Sequence, residues 1–147
     1  MKTNPMKTIF TILILISNLT LFSQVDKVIG DYQSSVRTKK GDLIEWKLTL
    51  NENGTFFFQY YSNDKFQVPS EKNIYGKGTW TMENNVISFF SDKQKDIDEK
   101  NTLDFTNSKA RFITKPTKNK TDQIIITRLQ FLKSDIFWMA KTEILKI

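Results

Sequence analysis

Residues 43–61 read Leu-Ile-Glu-Trp-Lys-Leu-Thr-Leu-Asn-Glu-Asn-Gly-Thr-Phe-Phe-Phe-Gln-Tyr-Tyr, and their pattern decides the fold class. In an extended chain Ile44, Trp46, Leu48 and Leu50 fall on one face, and Glu45, Lys47 and Thr49 on the other. That period of two belongs to a strand with one side in a core and the other in water. Asn51-Glu52-Asn53-Gly54 then turns the chain, because Asn and Gly both tolerate positive φ. In the return strand Phe56, Phe58 and Tyr60 share one face, and Phe57, Gln59 and Tyr61 the other. Aromatics on both sides mean that the outer face is partly covered or offers a contact surface.

The same texture extends outward in both directions. Strands are expected at Val28–Val36, Leu43–Asn51, Thr55–Tyr61, Ile74–Met82, Val86–Ser91, Thr102–Thr106, Ala110–Thr114, Gln123–Leu129 and Asp135–Thr142. The last would set Ile136, Trp138 and Ala140 opposite Phe137, Met139 and Lys141. Between them lie turn signals: Asp64–Asn73 around Pro69, Asn84-Asn85, the charged stretch Asp92–Asn101 (a loop or a short exposed helix) and the basic turn Lys115–Lys120. Gly76 and Gly78 inside one strand mark a bulge or bend. Eight to nine short strands at this spacing predict an all-β domain, either an antiparallel barrel or a strongly curled sandwich. Closure would also remove the exposed edges of so aromatic a sheet.

Upstream, Lys2 and Lys7 precede an apolar run, Ile9–Ile16, which is followed by a more polar stretch and the small Ser23. That order is a secretory signal peptide, residues 1–23, with the mature domain at residues 24–147. The run is shorter than the roughly 20 apolar residues of a membrane span, so no stable span is expected after cleavage; an uncleaved anchor is the alternative. The expected location is periplasmic or secreted.

Composition narrows the chemistry. With no Cys, an exported domain has neither disulfides nor a lipid anchor on a leader cysteine. With no His either, the usual general base, the Ser–His–Asp triad and zinc sites are removed. The net charge of +6 falls to +4 once Lys2 and Lys7 leave, and Arg37, Arg111 and Arg128 are the only arginines. A Lys-dominated surface lacks the planar fork that grips phosphate, and no nucleic-acid partner is expected. Asp92, Asp96, Asp98 and Glu99 could hold Ca²⁺, but Lys93, Lys95 and Lys100 interleave with them and no calcium-loop pattern is present. The basic group Lys109, Arg111, Lys115, Lys118 and Lys120 reads as a solvated hairpin tip or an anion contact. A carboxylate pair such as Asp31 with Glu45 depends on a separation that sequence does not give. No cofactor, no metal and no enzyme activity are expected.

Three fragments carry a family likeness: Ile29-Gly30-Asp31-Tyr32, Leu48–Phe56, and Gly76-Lys77-Gly78-Thr79-Trp80. Together, over residues 28–91, they resemble the lipocalin-like (calycin-type) small barrels of bacterial secreted proteins. Tyr32 stands where those have Trp. The resemblance implies strands wrapped around a cavity for a small apolar ligand, and a late arginine over the opening aromatic, here assigned to Arg128. The function expected is binding of a small hydrophobic ligand by Phe56, Phe58, Tyr60, Trp80, Phe89 and Trp138. The alternative is a non-enzymatic module that holds a protein or envelope partner on the outer face of Phe57, Gln59 and Tyr61.

Overall fold

The computed structural model describes residues 25–114 and 125–147. The leader, the turn Lys115–Lys120 and the first residues of the expected strand Gln123–Leu129 lie outside the described residues. One helical turn at Val25–Val28 leads into nine strands. These are β1 (Gly30–Arg37), β2 (Leu43–Leu50), β3 (Thr55–Asn63), β4 (Glu71–Glu83), β5 (Val86–Phe90), β6 (Asn101–Leu103), β7 (Lys109–Ile113), β8 (Arg128–Lys133) and β9 (Glu143–Lys146). Neighbours run β3-β2-β1-β9-β8-β7-β5-β4, and β4 pairs again with β3. The result is a closed antiparallel barrel of eight strands, the first of the two expected architectures. β6 is the ninth strand and lies parallel to β4.

The alternation in residues 43–61 sets the register. Leu48 faces Phe58 and Leu50 faces Phe56, with Trp46 opposite Tyr60. These inner positions meet Ile74, Gly76 and Gly78 of β4. The two-residue turn at Asn84-Asn85 has φ of 50° and 62°, the positive pair that Asn tolerates.

The core is aromatic. Phe56, Phe58 and Phe89 surround Phe105, whose ring centroid lies 5.2, 4.9 and 6.0 Å from theirs. Phe131 of β8, one strand beyond β7, stacks on Phe89 at 5.5 Å. Phe105 is fully buried yet belongs to no strand, since β6 ends at Leu103. The chain dips inward there because Gly76 leaves room: a Cβ on Gly76 would stand 2.7 Å from Phe105 Cε2. Ser91 secures the entry. Its Oγ donates to Lys77 O at 2.9 Å and accepts from Phe105 N at 3.1 Å.

Three expectations are corrected. Asp135–Thr142 is not a strand but a succession of turns, with Met139 N bonded to Ile136 O and Thr142 N to Met139 O. Met139 is fully buried while Ala140 and Phe137 are exposed. A spacing of three therefore overrides the apparent alternation, and the final strand is β9. The strand expected at Gln123–Leu129 begins instead at Arg128, where Leu129 and Phe131 alternate into the core. The segment Thr102–Thr106 gives only the short β6, because Phe105 leaves the sheet. Asp92–Asn101 takes its loop alternative.

Candidate functional site at the barrel mouth

One end of the barrel is sealed. Trp80 closes the β2–β3 hairpin: its indole N–H donates to Asn51 O and Thr55 O at 3.2 and 3.0 Å, while its backbone N–H donates to Gly54 O. Buried Tyr32 donates its hydroxyl to Val28 O, and burial pushes the phenol well above its ordinary range. The basic residue over this ring is Lys146, not Arg128. Lys146 Nζ lies 5.9 Å from the Tyr32 centroid and donates to Lys27 O and Ile29 O. Arg128 instead pairs outside with Glu143, Nε to Oε2 at 3.2 Å. The reason is register: Lys146 stands directly opposite Tyr32 on the adjoining strand.

The other end is open. Tyr60 and Ile74 face each other across β3 and β4, and Ile44 faces Ser62 one row further out. The turns that replace the expected last strand bring Trp138 against Tyr60, with centroids 4.7 Å apart, and against Phe58 at 6.1 Å. Trp46 meets Tyr60 edge-on at 6.3 Å. Above these rings is a cavity of about 360 Å³. Its apolar wall is Ile44, Tyr60, Ile74, Phe137 and Trp138; its polar rim includes Thr38, Asp42, Asp64 and Lys72.

Thr38 and Asp42 close the β1–β2 hairpin. Thr38 Oγ1 donates to Asp42 Oδ2 at 2.9 Å and accepts from Asp42 N at 3.2 Å. The second carboxylate oxygen, Asp42 Oδ1, is buried with no protein partner, and so is the indole nitrogen of Trp46. Unpaired buried polar atoms are uncommon because each forfeits its hydration. Here one acceptor and one donor lie on the hairpin and strand that form the mouth.

The six residues expected to bind ligand divide accordingly. Tyr60 and Trp138 line the mouth cavity. Phe56, Phe58 and Phe89 lie in the packed interior beneath it, and Trp80 is bonded at the sealed end. Sequence reasoning did not assign Thr38, Asp42, Ile44 or Phe137 to the site. Nothing local in residues 38–42 says at which end of the barrel the β1–β2 hairpin lies.

Elsewhere the weighed alternatives resolve geometrically. Asp31 and Glu45 sit four residues apart along the β1–β2 ladder, about 13 Å at strand rise, beyond the reach of a glycosidase pair. The acids of the 92–98 loop are turned onto backbone amides. Asp92 accepts from Gln94, Asp96 from Asp92, and Asp98 from Lys100 and Asn101. Among the described residues, no three His, Cys, Asp or Glu groups form a metal-binding cluster, and no helix is long and apolar enough to cross a membrane. Of the outer aromatics, Phe57 is 56% exposed, while Tyr61 is half-buried with its hydroxyl 3.2 Å from Glu71.

Comparison with known protein families, with curated proteins and with solved structures finds no match to this chain.

Proposed function

We propose that this is an exported, lipocalin-like binding domain, periplasmic or secreted, that holds one small, partly apolar molecule at the mouth of its barrel. The observation that carries the reading is the cavity of about 360 Å³ over Tyr60 and Trp138. Its size is that of a small-molecule pocket, and it sets an apolar wall of five side chains against a polar rim of seven. The filled interior sets the depth. Phe105 and the rings around it occupy the space that a deeper ligand would need, since an eight-stranded barrel holds either side chains or one ligand. A ligand with an apolar body and a hydroxyl or amine at one end matches the site. The body covers Tyr60 and Trp138, and the polar end meets the rim of Thr38, Asp64 and Lys72.

Native mass spectrometry of the protein secreted from a host expressing the full chain tests this. The expected result is a reproducible adduct of small-molecule mass, lost on denaturation and lost in Trp138→Ala. A bare monomer mass that stays bare after incubation with the host's total lipid extract would count against the proposal.

A further inference from the structure

A second depression, of about 420 Å³, lies on the outside of the barrel wall, away from the mouth. Two cross-strand rows form its floor: Thr49–Phe57–Lys77 and Lys47–Gln59–Tyr75. The loop before β6 makes its side. Lys77 Nζ reaches Asp98 Oδ2 at 3.1 Å, and Lys100 Nζ stands 5.0 Å from the Tyr75 ring centroid. Three lysines line this groove, while Asp98 pairs with Lys77 and Asp31 accepts from Thr49 Oγ1 at its edges. Phe57, more than half exposed, is the open ring among them, with the Gln59 side chain one row away.

We propose that this groove binds an acidic polysaccharide. A sugar ring presents a C–H face that packs on the open face of Phe57. Its hydroxyls match the Gln59 amide, and its carboxylate or sulfate groups meet the ammonium groups of Lys47 and Lys100, Lys77 being held by Asp98. The competing macromolecules fit less well. Protein interfaces are depleted in Lys and centre on a dry aromatic or Arg cluster, whereas here lysines surround a single ring. Single-stranded nucleic acid needs successive stacking platforms, and Lys100 already caps Tyr75.

The test is calorimetric titration of the full-length protein with oligogalacturonate and with its methyl ester, which keeps the ring and removes the charge. A heparin-derived oligosaccharide and its desulfated, N-acetylated and carboxyl-reduced form make the parallel pair. The charged form of at least one pair is expected to bind about tenfold more tightly than its neutral partner, and which pair does so names the charge carrier. Phe57→Ala should weaken that binding about fivefold. Lys47→Gln with Lys100→Gln should weaken it and flatten its salt dependence, while Trp138→Ala leaves it unchanged. Absence of binding by both charged oligosaccharides would overturn the assignment. So would equal binding of charged and neutral forms, insensitivity to Phe57→Ala and the lysine changes alike, or tighter binding of poly-glutamate than of either sugar.

Discussion

The two ends of this barrel hold similar side chains and treat them differently. At the sealed end the Trp80 indole N–H meets two carbonyls, the Tyr32 hydroxyl meets Val28 O, and Lys146 meets two more carbonyls. At the mouth the Trp46 indole N–H and Asp42 Oδ1 have no protein partner, and Trp138 is only partly buried. A satisfied, close-packed end specifies one structure, whereas the mouth leaves two buried polar atoms unpaired beside partly buried aromatic rings. The polar atoms of one end are used within the chain, and the proposed function assigns binding to the other.

The largest effect expected is at the plug. Phe105→Ala should cost about 3–5 kcal/mol in urea unfolding, against about half that for the half-buried Trp138→Ala. Equal costs would mean that the mouth is core, and the contrast would dissolve. Next comes Gly76→Ala, whose new Cβ meets the Phe105 ring, at about 1–3 kcal/mol. The double variant Gly76→Ala with Phe105→Ala should cost less than the sum of the two, because the clash and its partner vanish together.

A smaller but sharper contrast lies between the indoles. Trp80→Phe removes two hydrogen bonds from carbonyls that each keep one backbone donor and should cost about 1 kcal/mol. Trp46→Phe removes a donor that has no partner and should cost less than Trp80→Phe in the same unfolding assay. A reversed order would show that Trp46 is the better satisfied of the two.

The smallest effect is pH-dependent and lies outside both ends. The Asn101 backbone N–H, then its side-chain amide and Lys77, hold the Asp98 carboxyl well below the usual carboxylate range. A lowered folded-state value means that the contribution of this loop clasp is fully present above the ordinary value of about 4. It is lost as pH falls from there through the folded-state value. The amide resonances of Lys100 and Asn101 should therefore hold steady above that pH and move below it, and Asp98→Asn should abolish the transition.

Much of this was legible in the sequence, for physical reasons that differ by region. Alternation in residues 43–61 and the Asn-Gly and Asn-Asn turns are local signals, and they placed β2, β3, β5 and the all-β class, with barrel and curled sandwich both open. Residues 135–142 also alternate, yet their three-residue spacing of Ile136 and Met139 was the pattern that packing used. The burial of Phe105 depends on the absence of a side chain at Gly76, 29 positions earlier, which no local window contains. The site followed the same division. Tyr60 and Trp138 were chosen as inward aromatics, but which rings would fill the barrel and which would floor its mouth depended on Phe105 and on turns that were read as a strand. Lys146 over Tyr32 was missed because the expected last strand ended before it.

The measurement closest to the central claim is the indole N–H spectrum of nitrogen-labelled protein, in which the three tryptophans report separately on the two ends. The host's total lipid extract is titrated in. The account predicts that the Trp46 and Trp138 resonances shift together while that of Trp80 stays fixed and strongly protected from hydrogen exchange. Motion of Trp80 along with the others, or no shift of Trp46 and Trp138, would contradict it.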